Sequence, residues 1–169
     1  LKDISFIFDE YFEYDQGLYK KILTTRDMVL NSSDLVKYSK ELVLLEKNIT
    51  IFHAKIINHL LSKFNHEVDL IGFHGQTIFH NPELKITKQL GDGHLLSQLV
   101  RKNVVYDFRQ ADIANDGQGA PLTPIFHYLL ANKIIEKFEL EPPISFLNIG
   151  GISNVTQITG LSNAIEDNI

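Results

Sequence analysis

Leu35, Tyr38, Leu42, Leu45, Ile49, Phe52, Ile56 and Leu60 recur at steps of three and four residues. An α-helix brings that spacing onto one face, because it turns once every 3.6 residues. The stripe predicts a single long amphipathic helix of about 45 Å at about 1.5 Å per residue. An apolar face of that length has to be covered, so other elements must pack along it. A core-facing helix is the main reading and a coiled-coil seam the alternative. Ser32, Ser33 and Asp34 stand before the stripe and offer N-cap oxygens. His53 and His59 fall within the helix and read as solvated or hydrogen-bonded side chains, not as ligands.

The rest of the chain alternates strand-like and helix-like runs. ISFIF predicts a short strand with Ile4, Phe6 and Phe8 on one face. YFEYDQGLYKKIL leads through a loop into a short helix, and VDLIGFHG is a buried strand running into a glycine-bounded polar turn. Asp92 opens a helix marked by Leu95, Leu96, Leu99 and Val100, and NVVYDF is a further strand. Thr123 to Lys137 predicts a helix with Pro124 in its first turn, where proline is tolerated. Glu141, Pro142 and Pro143 break the chain and mark the best candidate boundary. ISFLNIGGISNVTQIT then places two β-rich runs around Gly150 and Gly151, a hairpin signal. Strands alternating with helices argue for an α/β class.

Composition narrows the functions. The 169 residues are enough for one domain with a sizeable core. A net charge of −5 gives no reason to expect a nucleic-acid partner. With no cysteine, disulfides and thiolate metal sites are excluded. LKDISFIFDE lacks the basic and apolar regions of a secretory leader, no apolar run approaches a membrane span, and the expected location is cytoplasmic with no membrane partner.

Four polar clusters follow or join strands: HGQT at His74 to Thr77, QLGDG at Gln89 to Gly93, DFRQAD at Asp107 to Asp112, and NIGG at Asn148 to Gly151. Open α/β sheets bind ligands outside the carboxyl ends of their strands, so the clusters together point to a site there. Asp107 is the first ionisable residue after VVY, and a carboxylate at a strand end can serve as general base. Arg109 alternates with it along the strand, so the two are expected to face the same way. The competing reading is that Asp107 simply pairs with Arg109. In DGQGAPL, Gly117 and Gly119 form either a backbone cradle for sugar or phosphate or a tight loop needing positive φ before Pro121. NIGGISN is likewise a phosphate-embracing hairpin or an ordinary one. His74 and His80 lack a third ligand at fixed spacing, so no metal site is assigned. No GxxxxGK[ST] or GxGxxG is present, so neither a P-loop nor a Rossmann site is supported.

DLIGFHGQTIFHNP, QLGDGHLLSQLV, VVYDFRQADIA, GQGAPLTPIFH and FLNIGGISNVTQI occur in this order over roughly residues 68 to 158. Together they resemble the anhydro-N-acetylmuramic acid kinase family of the actin-like, sugar-kinase superfamily. The resemblance implies two related lobes around a cleft. Residues 1–141 would form most of the N-terminal lobe, without its first strand and phosphate loop, and residues 142–169 the first hairpin of the C-terminal lobe. It implies that ATP and water open the 1,6-anhydro ring of the sugar and phosphorylate the new 6-hydroxyl, with Mg²⁺ bridging phosphate oxygens. By resemblance, Asp107 matches the general base on the attacking water. His74, Gln76, Thr77, Arg109, Asp112 and Gln118 match the sugar side, and Asn148, Gly150 and Gly151 the phosphate side. Sugar and ATP are the implied small-molecule partners, with a homodimer or a separately encoded complementary fragment as candidate protein partners. The alternative is a non-catalytic, sugar-binding remnant.

Departures from the family pattern set further expectations. The family's MSGTS-DG phosphate hairpin and its Asp-Thr-Gly-Pro-Gly-Asn loop are both absent, so no ATP-dependent phosphorylation is expected from this chain alone. Asp116 stands where the family pattern GGQGAPL has glycine, a place where a carboxylate would repel phosphate or strain the turn. By the resemblance, the lobe's first strand lies centrally, so its neighbours are expected to keep unpaired ladder groups. Phe146, Leu147, Ile149 and Val155 are expected to be largely uncovered, and the chain marginal in stability.

Overall fold

The computed structural model describes residues 5–149 and 153–160 and divides into two compact units, Leu1–Gly119 and Ala120–Ile169. In the first unit, helix α1 (Gln16–Met28) starts where Asp15 Oδ1 accepts the Leu18 N–H at 2.9 Å. Helix α2 (Ser32–Lys37) is opened by a capping box. Asn31, not Ser32, Ser33 or Asp34, is the N-cap, and Asp34 is its reciprocal partner, accepting the Asn31 N–H at 3.1 Å. The long stripe is not one helix: α2 ends and α3 (Ser39–Lys63) begins at Tyr38, whose backbone leaves the helical region at φ −103° and ψ 23°. Tyr38 still bridges the two, since its N–H bonds to Asp34 O and its C=O accepts from Leu42 N–H.

The α3 helix is the spine of this unit and is buried on two sides. Leu42, Leu45 and Ile49 pack with Leu18, Ile22 and Val29, and with Ile78 and Leu90 from the hairpin described next. Leu35, Tyr38 and Phe52 of the expected stripe flank the same cluster. Farther along, Ala54 and Ile57 join Phe73, Leu96 and Val100 in a second cluster.

Strands β1 (Leu70–Phe73) and β4 (Asn103–Tyr106) form a parallel pair, with Leu70 opposite Asn103 and Phe73 opposite Tyr106. The connection between them holds the antiparallel hairpin of β2 (Gln76–Asn81) and β3 (Ile86–Leu90), then α4 (Gly93–Val100). The α4 helix is capped by Asp92, as the sequence indicates, with the Leu95 N–H donating to Asp92 Oδ1 at 2.9 Å. Helix α5 (Phe108–Ala114) follows β4 directly. The architecture is mixed α/β, with three two-stranded sheets among the described residues.

The described part of ISFIF, residues 5–8, is not a strand. Ile4 lies outside the described residues, and residues 5–8 have no regular structure. Phe6, Ile7 and Phe8 are all exposed, and the Phe8 ring lies 5.5 Å from that of Phe64. On the parallel pair, Ile71, Phe73, Val104 and Tyr106 face the second cluster, whereas Leu70 and Val105 remain exposed.

The second unit contains α6 (Pro124–Phe138) and the antiparallel hairpin of β5 (Ile144–Asn148) and β6 (Asn154–Ile158). Cis peptide bonds precede Pro121 and Pro143. The His127 ring stacks on Phe146 at 4.8 Å, and its Nδ1 bonds to Thr156 Oγ1 at 2.8 Å, tying α6 to both strands. Phe146 is therefore half-covered, against expectation, while Leu147, Ile149 and Val155 are exposed as anticipated. No helix among the described residues is long and apolar enough to cross a membrane.

Burial against α3 raises the pKa of Tyr14, whose ring lies 4.6 Å from that of Phe52. The folded chain therefore holds a proton that the unfolded chain releases from pH 10.0 upward, so this contribution is complete below pH 10.0 and declines above it. Urea unfolding of wild type and Tyr14→Phe across the alkaline range should show the wild type losing stability relative to the variant as pH rises; a constant difference would contradict this.

Candidate functional site

The parallel register brings His74 and Asp107 to the same end of β1 and β4, each being the residue after a paired strand end. Asp107 does not continue the strand. It adopts φ 58° and ψ 33°, the left-handed region, and is the N-cap of α5, with its carbonyl accepting the Ala111 N–H at 3.0 Å. The alternation expected for Asp107 and Arg109 is thereby overturned, because Arg109 sits in the first turn of a helix. The two do not pair either. The Asp107 carboxylate is exposed and makes no hydrogen bond or ion pair with the described residues. A left-handed non-glycine backbone costs on the order of 1–3 kcal/mol and concentrates at functional sites.

Arg109 reaches elsewhere. Its Nε–H donates to His74 Nε2 at 2.9 Å, and Nη1 donates to Gly119 O at 2.6 Å. Since guanidinium nitrogens only donate, His74 Nε2 must accept. The ring proton then sits on Nδ1, which lies 2.9 Å from Gly75 O.

Asp112 holds the following loop. Its Oδ2 accepts the Gly119 N–H at 2.7 Å, and its carbonyl accepts from Asn115 and Gly117. Asp112 and Arg109 thus clamp the Gly119 residue by its N–H and its C=O. Gly119 has φ 69°, and a Cβ there would lie 2.9 Å from Ile113 Cδ1, so the tight-loop reading of GQGAPL holds at this position. Gln118 is exposed on the same loop. Gln76 and Thr77 lie within the β2–β3 ladder opposite Leu90 and Gln89, and Thr77 Oγ1 is 3.4 Å from Gln89 Nε2.

His74, Arg109, Asp112 and the 117–119 loop therefore form one hydrogen-bonded corner, with the free Asp107 carboxylate at its strand end. Asn148 ends β5 in the second unit and is exposed, while Gly150 and Gly151 lie outside the described residues. Two residues outside every quoted motif, Glu46 and Thr50 of α3, bind the QLGDG backbone from behind. Their signal in the sequence is a polar pair four residues apart beside the apolar stripe. Among the described residues no group of three His, Asp or Glu could hold a metal ion.

Asp116 has φ 66°, which explains why glycine suits this position, and its carboxylate pairs with Lys85 Nζ at 2.6 Å. With the two side chains 83% and 66% exposed, that pair is worth about 0–1 kcal/mol at most. Relief of the left-handed backbone should therefore match or outweigh the lost pair. Asp116→Gly is expected to leave stability unchanged or raise it by up to about 1 kcal/mol in urea unfolding, and a loss of more than about 1 kcal/mol would show that the ion pair dominates.

A sequence profile of the family described as "Anhydro-N-acetylmuramic acid kinase" matches residues 2–165. A protein of that name from Pelagibacter ubique (strain HTCC1062) is 52% identical over 157 residues, covering 93% of this chain and 41% of the relative. Namesakes from Agrobacterium fabrum (strain C58 / ATCC 33970) and Rhodopseudomonas palustris (strain ATCC BAA-98 / CGA009) are 40% and 43% identical, over 88% and 69% of this chain. The chain spans only 41%, 40% and 31% of these three curated relatives. On the profile match and these identities, the chain belongs to the anhydro-N-acetylmuramic acid kinase family.

Proposed function

We propose that this chain forms the sugar side of an ATP-dependent kinase that opens the anhydro ring of anhydro-N-acetylmuramic acid and phosphorylates the freed 6-hydroxyl. The observation that carries this reading is the Asp107 carboxylate, held in a left-handed turn at the end of a parallel strand pair and left without a partner among the described residues. Every other charged or imidazole group of the corner is already engaged in holding it together. The reading places residues 1–141 in an actin-like N-terminal lobe and 142–169 at the start of the C-terminal lobe, although the compact units meet at Gly119 and Ala120.

In this mechanism a water attacks the anomeric carbon of the sugar. The bond from that carbon to the bridging 6-oxygen breaks, and the electron pair stays on the oxygen that accepts the phosphoryl group. Asp107 takes the proton released by the water. Arg109 and His74 hold each other and, with Gln76, Thr77 and Gln118, set the corner that orients the sugar. Asp112 acts on this surface by fixing Gly119. When bound, ATP supplies the phosphoryl group, and Asn148, Gly150 and Gly151 are the residues proposed to meet its phosphates. The described residues offer no cluster for Mg²⁺, so no ligand is assigned to it.

The test is Asp107→Asn in the kinase chain that carries this segment. Loss of the base should lower kcat by about 10²–10⁴-fold with little change in KM. A loss confined to KM would make Asp107 an acceptor for a sugar hydroxyl and move the base elsewhere. Normal turnover in Asp107→Asn together with a dead Asp112→Asn would overturn the assignment.

A further inference from the structure

Thr50, in the middle of α3, is 0% exposed. Its hydroxyl donates to Glu46 O at 2.8 Å and accepts the Asp92 N–H at 2.9 Å. One turn earlier, Glu46 Oε1 accepts Lys88 Nζ at 2.8 Å and the Gly91 N–H at 3.2 Å. The four-residue spacing puts both acceptors on one helix face, so they take two successive backbone amides of QLGDG. The loop is thus fixed at its backbone, from the buried side.

The loop in turn meets the corner. Gly75 has φ 70°, and a Cβ there would come 2.6 Å from Leu90 O and 3.5 Å from Gly91 Cα. The loop backbone therefore packs directly on Gly75. Gly75 O receives the His74 Nδ1 proton, and His74 Nε2 receives the Arg109 Nε–H. An unbroken set of contacts runs from α3 to the Gly91 and Asp92 amides, through the Leu90–Gly91 backbone to Gly75, and on to His74 and Arg109.

We propose that Glu46 and Thr50 are positioning residues for the substrate corner. They fix the Gly91 and Asp92 amides, and so hold the adjoining Leu90–Gly91 backbone against Gly75, which keeps the His74 ring turned to accept from Arg109. This inference rests on reading that corner as the sugar side of the kinase. Both residues act through the loop.

Hydrogen exchange at the Arg109 Nε–H, read by NMR on this chain, tests the proposal. Valine matches threonine in shape but cannot accept a hydrogen bond, whereas serine keeps the hydroxyl. With each variant held under conditions where circular dichroism shows it folded, Thr50→Val should speed this exchange about tenfold, and Thr50→Ser should stay near wild type. A purely structural Thr50 would lower the melting temperature of Thr50→Val and leave Arg109 exchange unchanged, and that result overturns the proposal. If Thr50→Val does not fold, Glu46→Met carries the same test, with faster exchange expected and unchanged exchange overturning it. Sugar binding is measured separately. Failure of the wild-type chain to bind anhydro-N-acetylmuramic acid counts against the functional reading, while the Arg109 result alone decides the positioning claim.

Discussion

The hydrogen bond from the Asp92 amide to Thr50 Oγ1 joins the apolar spine of the first unit to its polar corner. A hydroxyl with no access to water destabilises a fold unless its bonds are made. Thr50 makes them on both sides, to its own helix and to the loop that starts α4. The surrounding packing keeps that geometry in place. Ile49, the residue before it, belongs to the first core cluster, and Ala54, one turn later, to the second. Burial of an isoleucine side chain such as Ile49 contributes about 1.5–3 kcal/mol and that of a single methyl group such as Ala54's about 0.8 kcal/mol. The α3 helix is therefore anchored on both flanks of the residue that holds the loop.

At the corner, backbone conformation and charge are balanced differently. Asp107 and Asp116 both adopt left-handed φ, which favours glycine. What holds the 116–119 loop is the buried-side clamp on Gly119, since a hydrogen bond to a charged group is worth about 1.5–3 kcal/mol and an exposed ion pair about 0–1 kcal/mol. Asp112 and Arg109 each supply one bond of the stronger kind, and Lys85 the weaker pair. The concern that Asp116 would disturb the loop thus divides into two parts: its backbone is disfavoured, and its charge is partnered by Lys85. Among the described residues Asp107 has no such support, which is the physical reason for treating it as available to a ligand.

Much of this was legible in the residues. An apolar run ending in glycine and polar side chains marked the end of β1, and Asp92 before Leu95 and Leu96 marked the start of α4. These signals are local, and local chemistry decides them. The strand ending at Tyr106 was not legible, because an Asp at a strand end can continue extended or turn left-handed, and α5 behind it decides which. ISFIF failed for a related reason: alternation creates a strand only where a ladder and a covered face exist. The partner of Arg109 is 35 residues away and was hidden, since any nearby carboxylate looked like a better match than a neutral imidazole. Thr50 was missed because threonine beside an apolar stripe looks like a tolerated polar residue until a distant amide needs it.

The central claim is that the carboxyl ends of β1 and β4, not their amino ends, carry the sugar site. At the opposite ends, Asp69, Arg101 and Lys102 line a separate groove. Titration of the ¹⁵N-labelled chain with anhydro-N-acetylmuramic acid distinguishes the two. Amide shifts concentrated at residues 74–77, 107–112 and 117–119 are the expected result. Shifts concentrated at residues 67–69 and 101–103 would contradict the account.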